Sequence, residues 1–221
     1  LFATYFFIKY LKNPSAKNLI IAGLIFGVAL LTKFSTFLLV PFFALLAVIY
    51  GLVREDKKIL HIARYALGII LIFAIGFAFI VWPTYYFQIN KYPIQRQYQD
   101  TKQLLQSYGN RLFADPVVWA SGKPLLRPAA QYGLGLLMAT QRSVGGNTTY
   151  FLGEVNRSGW RSYFPIVYFI KEPLAWWGLV LIAILSIAIK FSISNFQFSK
   201  LKDWVKNHFE ESAMLLWLLV Y

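Results

Sequence analysis

Four ionisable side chains stand where chemistry could be done at a membrane edge. Lys33, Arg161 and Lys171 are cations that flank long apolar runs without entering them, and Glu154 is a carboxylate in a stretch that contains Gly153 and Gly159. Cations in a partly dehydrated setting stabilise phosphate charge far more than they do in water, and lysine serves as a point charge for such a group. A carboxylate among glycines, which allow close backbone approach, could orient a sugar or acceptor hydroxyl. Trp160, Tyr163 and Tyr150 offer ring faces for a sugar. Each has a plainer reading beside it. Lys33 could be a helix-end lysine that snorkels to the interface, and Arg161 and Lys171 could be ordinary interfacial cations. Glu154 could pair with Arg157 or Arg161, and the rings could belong to an aromatic belt.

The elements that must position these residues are apolar helices. Of 221 residues, 58% are apolar and 14% charged, against roughly 45–50% and about 25% in ordinary soluble domains. The excess is gathered into Leu19–Leu31, Phe34–Val53, Ile62–Trp82 and Leu174–Ile189. Leu19–Val53 spans roughly 52 Å as one helix, too long for a hydrocarbon core of about 30 Å. A break is required, and Lys33 marks it, since a lysine at the bilayer centre costs about 2.5–3.5 kcal/mol even on the lenient insertion scale. Thr32–Ser35 is then a turn, and the first arm begins near Pro14. Ile62–Trp82 is a span closed by the Trp82-Pro83 pair, and Leu174–Phe191 is another, opened by Pro173.

These spans divide the chain into residues 1–83, with a first helix cut short, an extramembrane region over 84–161, and residues 162–221. The last part holds an interfacial segment, a span, a basic loop and a truncated final helix. Leu rather than Met at position 1 and the apolar run at Tyr221 are read as an internal piece of a longer protein. Within 84–161, Gln97–Leu112 and Ala129–Ser143 have helical spacing, the second apolar enough to lie on a membrane surface, and the remainder reads as coil.

Orientation follows from the short loops, in which Lys and Arg gather on the cytoplasmic side. Lys9, Lys12 and Lys17, then Arg54, Lys57, Lys58 and Arg64, then Lys190, Lys200, Lys202 and Lys206 form that set. The Lys33 turn and residues 84–161 fall on the opposite face. A re-entrant hairpin broken at Pro41 would reverse everything downstream. The net charge of +13 is accounted for by anchoring and needs no nucleic acid. Zero cysteines exclude disulfides and thiolate metal sites. His61 and His208 both sit beside basic loops, away from the candidate residues, and no metal motif is present. Asn147-Thr148-Thr149 and Asn156-Arg157-Ser158 match the glycosylation triplet, a pattern that arises often by chance.

Two longer segments are more specific. Gly23-Leu24-Ile25-Phe26-Gly27-Val28-Ala29-Leu30-Leu31-Thr32-Lys33-Phe34-Ser35, followed by Pro41, resembles the Gly-x-x-x-Gly-(small/apolar)-Leu-Leu-Thr-Lys segment of polyprenol-phosphate-sugar-dependent glycosyltransferases. Tyr150-Phe151-Leu152-Gly153-Glu154, then Gly159-Trp160-Arg161-Ser162-Tyr163-Phe164-Pro165, then Lys171-Glu172-Pro173, is similar to the succession after the large outer loop of the same enzymes. These are the family 39-like proteins, relatives of the protein O-mannosyltransferases and of the bacterial lipid A aminoarabinose transferases. Gly-x-x-x-Gly alone is common wherever apolar helices touch closely.

The resemblance implies an all-α polytopic membrane protein of the GT-C type with a partly helical extracytoplasmic loop. It implies transfer of a monosaccharide, with inversion, from a polyprenyl-phosphate donor to a protein, lipid or glycan acceptor on the outer face of a prokaryotic cytoplasmic membrane. It gives Lys33, Lys171 and Arg161 to the lipid phosphate, Trp160, Tyr163 and Tyr150 to sugar or acceptor, and an auxiliary role to Glu154. The family's catalytic carboxylate lies in the first outer loop, upstream of Leu1, so this piece lacks its own. No cofactor is identifiable beyond the lipid-linked donor. The competing readings are a polytopic transporter or flippase, and a non-catalytic scaffold of the cell envelope. Transporters place ionisable groups or broken helices near midplane, whereas the full spans here carry none.

Overall fold

The computed structural model describes residues 1–53, 58–145, 148–157, 159–193 and 198–220. Arg54, Lys57, Asn147 and Ser158 lie outside the described residues, as do the side chains of Lys58, His61, Lys190, Lys200 and Lys202. Those loop cations, one histidine and both glycosylation triplets are therefore left at the level of sequence. The chain is mostly helical and divides into two compact units, one of residues 1–141 with 203–221 and one of residues 142–202.

The first unit is built on α1 (Phe2–Lys12), α2 (Ala16–Thr32), α3 (Leu39–Val53) and α4 (Lys58–Gly76). Ser15 caps α2 by accepting the Asn18 N–H at 3.3 Å, and the Asn18 amide donates back to the Asn13 carbonyl at 2.8 Å. The expected break falls at Lys33, which is extended between α2 and a single 3-10 turn, Phe34–Leu38, that leads into α3. Pro41 sits in the first turn of α3, where its missing N–H has no helical partner to lose. Phe34–Val53 is a continuous apolar stretch of 20 residues with no re-entrant break.

α2 lies against α4 at backbone contact. A Cβ on Gly27 would fall 2.5 Å from the Gly76 carbonyl oxygen and 2.8 Å from the Gly76 Cα. One on Gly76 would meet the Gly23 carbonyl oxygen at 2.5 Å. Phe7, Phe26, Phe43, Leu30, Leu46 and Ile72 fill the core around this crossing, with Phe7 and Phe43 stacked at 4.1 Å.

The span after α4 does not stop at Trp82-Pro83 as the sequence suggests. It runs through a π-helical turn, Phe77–Val81, into α5 (Trp82–Gln88), giving an apolar helix over Ala63–Gln88. In the wide turn the Trp82 N–H donates to the Phe77 carbonyl, five residues back. That widening gives the Pro83 ring space in the turn before it, the clash that would otherwise break the helix. The Thr84 hydroxyl binds the Ile80 carbonyl at 2.7 Å.

Three further helices follow, α6 (Ile94–Leu104), α7 (Arg111–Ser121) and α8 (Arg127–Gly145). The single helix expected over Gln97–Leu112 is two, because Asn110 accepts the Leu112 N–H at 3.0 Å and starts α7. α7 was expected as coil, whereas Ala129–Ser143 is helical as expected. Leu105, Ala114, Val118, Leu134 and Leu137 make a second small core there. α12 (Phe209–Val220) returns to pack on α3, through Tyr50 and Phe209 at 4.8 Å.

The second unit holds a hairpin, β1 (Thr149–Phe151) with β2 (Glu154–Asn156), which the coil reading also lacked. Its loop residues Leu152 and Gly153 have φ of 49° and 95°. A two-residue loop with both φ positive matches the right-handed twist of the strands. Then come α9 (Tyr163–Lys171) and α10 (Leu174–Ile193), bent by 105° at Glu172-Pro173. The Trp176 indole donates to the Tyr168 hydroxyl at 3.2 Å, and Phe169 stacks on Trp177 at 4.4 Å, bracing the bend. The basic stretch after α10, expected as a loop, is helical over α11 (Phe198–Asn207).

Among the described residues two helices, Phe34–Val53 and Ala63–Gln88, are long and apolar enough to cross a membrane, and the bent pair α9/α10 makes a third if taken as one span. Ala16–Thr32 is equally apolar in character but only 17 residues long. Gly76→Ala should destabilise the protein by about 1–3 kcal/mol, because its new methyl meets backbone that cannot step aside. Gly109→Ala, where a Cβ meets nothing within 4 Å, should leave the thermal midpoint in detergent unchanged.

Candidate functional site

Lys33 is exposed, and its position is fixed by the residue after it. Phe34 packs directly on Gly135 of α8 and lies 5.6 Å from the Tyr132 ring. Tyr132 is also met edge-on by Phe77 of the π-turn and by Tyr85 of α5, each at 5.7 Å. The Lys33 turn, the π-turn and α8 therefore close on one aromatic side chain at one end of the bundle. Each such ring pair adds about 0.5–1.5 kcal/mol beyond the area it buries. The helix over Ala129–Ser143, apolar enough in sequence to lie against a membrane surface, gives Tyr132, 4% exposed, to the main core.

The Tyr132 hydroxyl is buried and has no hydrogen-bond partner among the described residues. Loss of solvent, then the nearby Tyr85, pushes its pKa up to about 12. Beside this group Arg127 ties three helices together. Its guanidinium donates to Gln97 at 2.8 Å, to the Ile89 carbonyl at 3.1 Å and to the Tyr92 carbonyl, the carbonyls just past the end of α5. A cation there meets the negative end of the helix dipole. Gln97, 0% exposed, donates to Gln131 at 3.0 Å and to the Arg127 carbonyl at 3.2 Å. Tyr92 donates to Asp100, a bond that raises the phenol pKa more than its burial does.

The apolar lining near Lys33 is a cavity of about 390 Å³ bounded by Ile25, Val28, Ala29, Thr32, Thr36 and Leu39, with α1 and Trp217 closing it. Thr32 and Thr36 flank Lys33 in the chain, and the Thr36 N–H donates to the Lys33 carbonyl at 3.0 Å.

The other candidates belong to the second unit. Trp160 and Tyr163 both pack on Phe151, at 5.6 and 5.2 Å, so these two rings are brought together as the roof of the hairpin. Tyr150 is on the opposite face of β1, exposed and cross-strand from Val155. Glu154 is exposed at the head of β2, paired in register with Phe151. Arg161 is exposed before α9, and Lys171 is exposed as its last residue. Among the described residues Glu154 forms no ion pair with Arg157 or Arg161. No group of three or more acidic or histidine side chains that could hold a metal occurs among the described residues.

Comparison of the chain with protein-family models, with curated proteins and with solved structures gives no match.

The sequence pattern marks the helix break at Lys33 but not the ring assembly beneath it. The available signals were Gly133 and Gly135, which mark a close approach, and Phe34 directly after the break. Tyr132 is protonated in the native protein at pH values where an unfolded tyrosine, with a pKa of about 10, has ionised. Its contribution to stability is thus fully present below pH 10 and is lost as pH rises towards 12. Tyr132→Phe should remove that part of the alkaline loss, seen as a smaller fall in thermal midpoint over this window. It should also be neutral or stabilising at pH 7, since an unpartnered buried hydroxyl costs about 1–3 kcal/mol.

Proposed function

We propose that this chain belongs to a membrane glycosyltransferase of the GT-C type, which moves a monosaccharide from a polyprenyl phosphate to an acceptor. The observation that carries this reading is the exposed Lys33 on a rigid turn whose flanking Thr32 and Thr36 line an apolar cavity. A cation on a turn whose neighbours line an apolar recess suits an amphiphile with a phosphate head and a hydrocarbon tail. Two helices of spanning length and the two sequence segments that resemble the family 39-like enzymes point the same way. In this reading the face that carries Lys33 is the extracytoplasmic one.

In the reaction the acceptor oxygen attacks the anomeric carbon, the bond from that carbon to the phosphate oxygen breaks, and the acceptor proton passes to a carboxylate. The leaving phosphate gains negative charge as the bond opens. Lys33 stabilises that charge, and a group fixed in advance costs no reorganisation at the moment of reaction. Within the second unit the resemblance gives Lys171 and Arg161 to a lipid phosphate, Trp160, Tyr163 and Tyr150 to the sugar or acceptor, and Glu154 to orienting a hydroxyl. The proton-accepting carboxylate is assigned upstream of Leu1, as the resemblance implies.

Lys33→Ala in the intact membrane protein should lower transfer from a polyprenyl-phosphate sugar by about 100-fold or more, as removing one electrostatic stabiliser does elsewhere, while expression and insertion persist. Loss of insertion instead would make Lys33 a helix-end anchor. Glu154→Gln should weaken acceptor use more than donor binding, read from the separate KM values, and unchanged kinetics would remove Glu154 from the site.

A further inference from the structure

The end of the bundle away from Lys33 has a cavity of a different character. It measures about 370 Å³ and is lined by Lys12, Tyr50, Val53, Lys206, Asn207 and Phe209. α2, about 25 Å long at 1.5 Å per residue, separates it from the Lys33 turn. Lys12 is held at its edge by an ion pair with Glu210 at 2.7 Å, both side chains about half exposed. Two lysines and an asparagine thus line the cavity together with Tyr50 and Phe209, and one of the lysines is paired with Glu210.

A second, smaller cavity of about 210 Å³ is lined by Leu1, Thr4, Met214 and Trp217. It lies between α1 and α12, which give Lys12 and Phe209 to the first cavity, whose remaining lining comes from α3 and α11. Eight residues of α1 separate Thr4 from Lys12, and eight of α12 separate Trp217 from Phe209, which is about 12 Å of helix in each case. The α1/α12 seam is therefore basic at one end and apolar about 12 Å away. That matches the depth of one leaflet, half of a hydrocarbon core of about 30 Å. The outer face of α1 repeats the pattern, with exposed Phe2 and Tyr5 followed by exposed Lys9 and Lys12.

We propose that this seam is a binding site for an anionic glycerophospholipid, its phosphate between Lys12 and Lys206 and one acyl chain directed along α1 and α12 towards Met214. A free phosphate ester shares the headgroup chemistry but has nothing to place in the apolar cavity. A zwitterionic lipid has the chain, but its quaternary ammonium is repelled by the two lysines. Glu210 competes with the phosphate for Lys12, so it sets the affinity. The proposal does not rest on the glycosyltransferase reading: its headgroup residues Lys12 and Lys206 have no role there, although Trp217 lines both the smaller apolar cavity and the one near Lys33.

The test is lipid retention by the whole chain, measured by native mass spectrometry after exchange with phosphatidylglycerol, phosphatidylcholine of the same chains, or glycerol phosphate. Phosphatidylglycerol should be held on the order of tenfold more tightly than phosphatidylcholine, the scale set by lysines beside an anionic lipid. Lys12→Ala with Lys206→Ala should abolish the preference, Lys17→Ala should keep it, and Glu210→Gln should strengthen it severalfold. Equal retention of the two lipids overturns the proposal, as does an equal loss in Lys17→Ala, which would mean diffuse charge. Displacement by glycerol phosphate at equal concentration makes the site one for soluble phosphate esters and overturns the lipid assignment. Should the double variant fail to fold, Glu210→Gln decides, since no gain in phosphatidylglycerol retention overturns the site.

Discussion

The contact on which the first unit depends is the meeting of α2 and α4 through Gly23, Gly27 and Gly76. Hydrocarbon tails are as apolar as leucine, so two helices in lipid gain little by merely hiding side chains from their surroundings. Association comes instead from dispersion contacts, which small residues multiply by letting backbones touch. Here the Cβ positions of these glycines fall 2.5–2.8 Å from neighbouring atoms of the partner helix. With α2 fixed against α4, the end of α2 must arrive beside the turn that follows α4. That is where Lys33 and the π-turn are.

The π-turn and Tyr132 convert that proximity into a fixed site. One widened turn carries the helix past Pro83 to Gln88, which brings Tyr85 into reach of α8. Tyr132 then fills the space among Phe34, Phe77 and Tyr85, and Arg127 holds the end of α5 to α6 and α8. The arrangement carries an unpartnered phenol oxygen. Its neighbours nevertheless leave the exposed Lys33 on a turn that packing immobilises from below, a geometry that suits the proposed donor phosphate.

The second unit follows a local logic. The hairpin needs positive φ at Leu152 and Gly153, and Phe151 gives it an apolar underside for Trp160 and Tyr163. Packing thus accounts for Phe151, Trp160 and Tyr163, while Tyr150, Glu154 and Arg161 stay exposed around the hairpin. α10 is apolar on every described face, with Leu179, Leu181, Ile182, Ile184 and Leu185 all exposed. A helix hydrophobic all round belongs within a larger protein or in a bilayer.

The sequence by itself determined where apolar helices lie and where one of them must break. Those properties depend on runs of residue type and on the cost of a lysine in hydrocarbon, both local in the chain. It also marked α2 as a helix able to touch a neighbour closely, because Gly-x-x-x-Gly has a packing reason at fixed spacing, but not that the neighbour is α4. It misplaced the end of the second span, since a proline ends a helix only when the turn before it is α-helical, and backbone five residues away decided otherwise. It ran one helix across Asn110 and left the rest of α7 as coil, because Asn110 acts as a cap only once α7 has a core to join. Only the tertiary structure could put Tyr132 under Phe34, gather Arg127 with Gln97, and set Lys12 across from Glu210. Those partners are 30 to 198 residues apart in sequence or belong to different helices, and nothing in a local pattern encodes which surfaces meet.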